Sequence, residues 1–368
     1  MGHEVACIAI NDKFVSKEDR ALKLTESEDG RALSIIRLSK SITWSERLDY
    51  IQDEIIRYKP GWISLQYVPY GFHPKGLPIG LGKRLGRLKG NFLWHIMFHE
   101  TWVGEGDAWL KPNRYYGAVQ KRIAAGIHRR LKAVCSSTNP FHYRQLNSIG
   151  CPNTILPLFG NLRLSVPNPE LRSMLIKGAG IEADEAEVWI FGFFGTLHAE
   201  WSPKDLIPKI LSLESRAGKK RSLFVSLGGM GDGGEKIWTE MKCRYGDRLS
   251  FAAMGRLSES LVSEYLHCAD FGIATSPMIF LGKSGSAAAM LDHGLPVIVT
   301  RMEGTRFQDS YPSSLIPLDN CFETKILTAQ KRSPRSDLAE ITALFLKELS
   351  LPIPQTSVAD DGARKETR

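Results

Sequence analysis

KSGSAAAMLDHGLPVIVT (Lys283–Thr300) and VWIFGFFGTLH (Val188–His198) are the two stretches whose reading decides the fold. The second is a continuously apolar run that stops at Gly195-Thr196. The first opens a helix of small residues at Ser284, closes it at Gly294 and runs straight into the strand Pro296–Thr300. Continuously apolar strands are buried on both faces, the condition of a parallel sheet covered by helices. A glycine just past the last helical turn takes the left-handed conformation that returns the chain to the sheet.

Between these stretches the alternation is regular. A helix over Asp205–Ser212 leads to the strand Ser222–Leu227, which ends in Gly228-Gly229. A polar helix near Glu235–Tyr245 precedes the strand Leu249–Met254. Ser258 caps a helix that runs to His267, with Glu259 in its first turn, and Asp270–Thr275 is a strand. Together these make one complete doubly wound domain.

The first half is less regular. Val5–Ile10, Trp62–Tyr67 and Leu93–Phe98 read as strands, and Ala133–Ser136 and Thr154–Leu156 as closing ones. Trp44–Tyr58 and Arg114–Leu131 read as helices, and Val68–Gly90 as a Gly/Pro-rich basic loop. Periodicity breaks near Gly160–Pro169. The expected division is therefore a first domain over 1–162, a second over 163–350 and a disordered polar tail over 351–368.

The chain has 368 residues, of which 43% are hydrophobic and 24% charged, enough to bury the cores of two α/β domains. No apolar run approaches the roughly 20 residues that span a bilayer. The opening MGHEVACIAINDK reads as a strand and polar turn, without the basic region and cleavage site of a secretory signal. Cys7, Cys135, Cys151, Cys243, Cys268 and Cys321 are scattered without a CxxC, so neither a disulfide framework nor a metal site is expected, and the thiols fit a reducing cytoplasm. Net charge is +8, with local excesses at Lys83, Arg84, Arg87 and Lys89 and again at Lys121, Arg122, Arg129, Arg130 and Lys132. Such patches suit an anionic membrane surface or a phosphorylated acceptor, and a merely solvated helix face is the plainer alternative. No zinc finger, RNP motif or basic-aromatic interleaving points to nucleic acid.

Two such domains in tandem resemble the GT-B glycosyltransferases, particularly the group-1, family-4-like branch. The resemblance is carried by IFGFFGTLH (Ile190–His198), MGRLS (Met254–Ser258) and KSGSAAAMLDHGLPV (Lys283–Val297), with LQYVPYGF (Leu65–Phe72) and MFHE (Met97–Glu100) in the first half. It implies two Rossmann-like α/β domains facing across a cleft. The second would bind a UDP- or GDP-sugar and the first a hydroxyl acceptor, saccharide or lipid-linked, as in envelope polysaccharide or glycolipid synthesis. It further implies hexosyl transfer with retention of configuration, no bound metal or other cofactor, and a cytoplasmic location, peripheral to the membrane where the acceptor is a lipid.

Candidate site residues cluster at strand ends and helix starts. Gly195, Thr196, Gly228 and Gly229 lie at strand ends, where a diphosphate needs close backbone approach. Lys283, Ser284, Gly285 and Ser286 open a helix with unpaired N–H groups, hydroxyls and a cation. His198 and Lys204 are further donor-side candidates. His99 and Glu100 come just after a first-half strand and are candidates to position or deprotonate the acceptor hydroxyl. Tyr70, Gly71, Phe72 and His73 form a candidate acceptor lip, and Trp102 and Trp109 suit either lid packing or sugar stacking.

Two departures bear on activity. The Glu-x7-Glu pair of the family falls here on Leu281 and Ala289, neither acidic. GHEVACIAIND also looks like the strand that comes after the first strand–turn–helix of a doubly wound domain, so the natural chain is expected to begin upstream. Both leave room for a binding protein that has lost turnover, and a nucleotide-sugar epimerase is a second alternative.

Overall fold

The structure, a computed structural model, describes residues 3–28, 31–104, 112–303 and 312–350. The expected tail and Trp109 lie outside the described residues. β1 (Ala6–Asp12) runs parallel to β3 (Arg31–Ser39), which pairs antiparallel with β2 (Ala21–Glu28). This hairpin is absent from the sequence-based expectations, because β2 (ALKLTESE) is too polar to stand out. α1 (Trp44–Tyr58) starts at a capping box in which Thr43 and Glu46 each bond the other's backbone N–H. Its Tyr50 packs on Ile36, Leu38 and Ile42 beneath the hairpin.

A second, parallel sheet comes next, ordered β4 (Trp62–Tyr67), β5 (Leu93–Phe98), β6 (Val134–Ser137) and β7 (Thr154–Ile155). The first-half strands therefore lie in two sheets. The stretch expected as a basic loop carries two short helices, α2 (Pro69–Phe72) and α3 (Leu81–Leu85). α3 packs on α4 (Pro112–Leu131) at Gly82, where an added Cβ would come within 2.9 Å of the Ile127 Cα. Only glycine lets the two backbones approach so closely. α5 (Pro140–Asn147) is capped by Asn139, which accepts from the His142 N–H.

After α6 (Pro169–Gly178), absent from the expectations because it sits in the Pro/Asn-rich connection, come β8 (Val188–Phe194), α7 (Leu206–Leu213), β9 (Arg221–Leu227), α8 (Gly231–Tyr245), β10 (Ser250–Ala253), α9 (Glu259–Cys268), β11 (Phe271–Ala274), α10 (Gly285–Asp292), β12 (Val297–Val299), β13 (Leu315–Pro317) and α11 (Phe322–Thr328). The six strands form one parallel sheet in the order β10-β9-β8-β11-β12-β13. Helices cover both faces over two apolar layers. Phe191 stacks between Phe224 and Phe271, and each buried ring contributes about 1.5–3 kcal/mol by leaving water. The order reverses between β8 and β11, which places a crevice at their carboxyl ends.

The last helix, α12 (Leu338–Leu349), returns to the first half. Buried Glu348 accepts from Ser136 Oγ at 2.6 Å and from the Thr154 hydroxyl, and Phe345 meets the His95 ring at 5.0 Å. The chain thus crosses between halves twice, and both crossings meet at Asp292. The Gly160 N–H donates to its Oδ2 at 3.1 Å, and the Arg335 N–H to its backbone oxygen at 2.7 Å. No helix among the described residues is long and apolar enough to cross a membrane.

Candidate active site at the cleft

The crevice is built from strand ends. Gly195 after β8, Gly228 after β9 and Gly255 after β10 all have positive φ, at 78°, 89° and 65°. A Cβ on Gly228 would lie 3.6 Å from Gly195, so the two turns touch. The Gly195 N–H donates to Leu227 O and the Gly228 N–H to Gly255 O, which knits the edge together. The N–H groups of Thr196 and Gly229 have no partner among the described residues. Arg256, part of the MGRLS motif but not among the expected site residues, completes this edge. It is exposed, and its Nε would lie 3.9 Å from a Cβ on Gly229.

On the other side of the switch point, Ser284 caps α10 by accepting from the Ala287 N–H, and its hydroxyl lies 3.1 Å from that of Ser286. The first-turn N–H groups of Gly285 and Ser286 are left without intrahelical partners, as at any helix start. Lys283, expected as a cation for the diphosphate, makes its contacts toward the first half. Its Nζ is 3.0 Å from Glu100 across the cleft and 4.9 Å from the centre of the Phe280 ring.

His198 is exposed. Its N–H donates to Thr275 Oγ1, and its Nδ1 lies 2.8 Å from Arg301 Nη1. Arg301, also absent from the expectations, binds Glu200 and Glu303 as well, which fixes the loop after β8 to that after β12. Lys204 is exposed in the turn before α7, and its ammonium has no partner among the described residues. No contact brings it to the glycine edge.

The facing wall comes from β4, β5 and α5. His99 and Glu100 are adjacent in sequence but bond apart: His99 Nε2 lies 2.8 Å from Gln66, and Glu100 takes Lys283. Burial lowers the His99 imidazole from its ordinary value, against the opposing pull of Glu100, which favours the neutral form. Of the expected lip, Tyr70 is exposed and borders the cleft. Gly71 offers its carbonyl to Asn11, Phe72 stacks inward on Tyr67, and His73 Nδ1 accepts from the Lys75 and Leu77 N–H groups. These contacts of the three residues shape the loop.

Between the walls lies a cavity of about 540 Å³, bordered by Tyr70, Glu100, Trp102, His142, Phe280 and Lys283 among others. His142, absent from the expectations, is buried, and burial pushes its imidazole down to about 4. Its Nδ1 is 2.8 Å from Thr101 Oγ1, and its Nε2 has no hydrogen-bond partner among the described residues. The segment Met278–Lys283 links the two sites: it comes after β11 at the switch point and supplies Phe280 and Lys283 to the cavity. Leu281 and Ala289, where the family's acidic pair would fall, are buried in the second-half core.

On the outer face of the first half, α3 and α4 bring the two basic stretches together. A groove of about 610 Å³ has an apolar floor that includes Ile79, Leu81, Val119 and Ile123, and a rim of Lys83, Arg122 and Arg130. Ile79 is 66% exposed.

No family model and no curated protein matches this sequence. Solved structures of the same architecture include sucrose-phosphate synthase from Thermosynechococcus elongatus, at TM-score 0.56 and 16% identity over 93% of this chain and 81% of that one. Another is HepE from Anabaena, solved in complex with UDP and glucose, at TM-score 0.53 and 13% identity over 86% of each chain. The shared architecture is the GT-B fold, two α/β halves with parallel sheets.

Proposed function

For a chain of the GT-B fold with this cleft, we propose glycosyl transfer from a UDP- or GDP-sugar to a hydroxyl acceptor. The observation that carries it is the convergence of unpaired donors on one crevice. The Thr196 and Gly229 N–H groups and the start of α10 follow strands at the switch point, and Arg256, whose guanidinium has no partner among the described residues, lies beside Gly229. Such a set offsets the charge that develops on a leaving diphosphate without requiring a metal. That HepE was solved with UDP and glucose supports a nucleotide and a sugar as ligands of the same fold. The acceptor would enter the 540 Å³ cavity, with Tyr70 and Trp102 as ring platforms, and His99, adjacent in sequence to the bordering Glu100, would help to position its hydroxyl. We assign retention of configuration on resemblance alone.

The test is a thermal-shift titration with UDP, GDP, ADP and dTDP, with and without attached sugars, on wild type and Arg256→Ala. A ligand at about 100 times its Kd adds roughly 2.7 kcal/mol of stability. One nucleotide should shift the wild type and need much higher concentration in the variant. A folded sample that none of them shifts would sink the donor-site reading. The burial of Leu281 and Ala289 favours a second reading, a binding protein without turnover. A nucleotide shift with neither transfer nor donor hydrolysis would select it.

The groove on α3 and α4 supports a lipid-linked acceptor met at an anionic membrane on the cytoplasmic side. Neither 74–92 nor 112–132 contains an acidic residue, so nothing there opposes anionic headgroups. Arg122→Glu with Arg130→Glu should release the protein from vesicles containing anionic lipid and leave nucleotide binding intact. Vesicle binding unchanged by the pair would remove the membrane from the proposal.

A further inference from the structure

Away from the cleft, three metal-ligating side chains meet inside the first half. His128 comes from the last turn of α4, Cys135 from β6 and Cys151 from the connection between α5 and β7. Their ligand atoms all lie within 4.8 Å of one another. Cys135 Sγ is 3.4 Å from His128 Nδ1. A tetrahedral zinc ion, with bonds of about 2.3 Å to sulfur and about 2.0–2.1 Å to nitrogen, holds such a pair about 3.5 Å apart. The side chains therefore already stand near the edge length of a coordination polyhedron. Cys135 and Cys151 are buried, at 2% and 0% exposure, and His128 is half-buried on the solvent side.

We propose that His128, Cys135 and Cys151 bind a soft divalent cation of the zinc class, with a fourth position left to water. Two thiolates and a neutral imidazole balance the ion's charge, so the filled site would add no net charge to the interior. Thiolate and imidazole donors select zinc-like ions over magnesium or calcium, which prefer oxygen. The ion would tie the end of α4 to β6 and to the chain beyond α5. Because β6 runs directly into Asn139 and α5, it would also steady the wall that carries Phe141 and His142. Scattered spacing hides this trio in the sequence, and only the packing of α4 on the sheet assembles it. The site takes no part in the glycosyl transfer proposed above and stands or falls separately.

The probe is Co²⁺ added to the full chain after reduction and chelation. One equivalent should give the near-ultraviolet sulfur-to-cobalt charge-transfer band and the visible bands of a tetrahedral site, displaced by Zn²⁺. Cys151→Ser should abolish the charge-transfer intensity or reduce it severalfold, and His128→Asn should weaken binding at least tenfold. The exposed thiols are controlled by Cys7→Ser, Cys243→Ser and Cys321→Ser together, a variant that should retain the full signal. A natively melting chain with no band at one equivalent would overturn the proposal. So would a signal lost in the exposed-thiol variant, or a Cys135–Cys151 disulfide, found by mass after mild oxidation, in a chain that when reduced shows no cobalt band.

Discussion

Asp292 offers a test of how the two halves are joined. It ends α10, is 3% exposed, and stands at the negative end of a helix with Asp337 nearby. Burial raises its carboxyl to about 6, and the Asp337 charge adds to the rise, while the Gly160 N–H works against it. In the unfolded chain an aspartate titrates near 3.9. Between about pH 4 and 6 the folded chain therefore holds a proton that the unfolded chain has lost. The stability this group contributes is complete below pH 4 and is lost as pH rises through 6. Roughly two pH units at about 1.36 kcal/mol each give a loss of about 3 kcal/mol. For a chain of this size unfolding as one unit, that is roughly 4 °C in Tm. Asp292→Asn keeps an oxygen for the Gly160 N–H but cannot titrate. Melting both proteins every half unit from pH 4 to 7.5, the difference in Tm, variant minus wild type, should climb by about 4 °C and level off above pH 7. Whatever constant offset the amide introduces cancels in that slope. A difference that stays flat across the range would refute the account of Asp292 as a buried, proton-holding link.

Other substitutions probe the remaining contacts. Gly282→Ala should destabilise by about 1–3 kcal/mol in urea titration, because its Cβ would meet Asn139 Cβ at 2.8 Å and Thr138 O at 2.9 Å across the junction. Glu348→Ala should lower stability by roughly 2–3 kcal/mol by removing the acceptor shared by Ser136 and Thr154, with Glu348→Gln recovering part of the loss. A double-mutant cycle on Glu100 and Lys283, both about one-third exposed, should give only about 0.2–1 kcal/mol of coupling. A larger coupling would mean that the pair is sealed from water.

The second-half sheet was legible because its strands are continuously apolar and its helices announce their ends. Val188–Phe194 is the observed strand to the residue, and Ser258 and Ser284 cap the helices expected of them. The first half blurred where strands are polar on one face, as in LKLTESE, or where helices are too short for periodicity, as at Pro69–Phe72 and Leu81–Leu85. The strand-end glycines were visible because turns with positive φ and close backbone approach leave a mark in composition. What composition cannot encode is partnership. Lys283 was expected near a phosphate, and no spacing announced that it also pairs with Glu100, a contact set by the packing of α5 and the segment Met278–Lys283 through Phe141 and Phe280. His142 and Arg301 depend on contacts between segments far apart in the chain, and no local spacing marks them.

Asp292 also bears on the crevice. Both crossings hydrogen-bond the same residue, so Asp292 is a shared anchor for the two connections between the halves. α10 runs from it to a far end, about 12 Å away at a rise of 1.5 Å per residue, that presents Ser284 to the crevice. The helix that would meet an anion at one end is thus the one that holds both connections at the other.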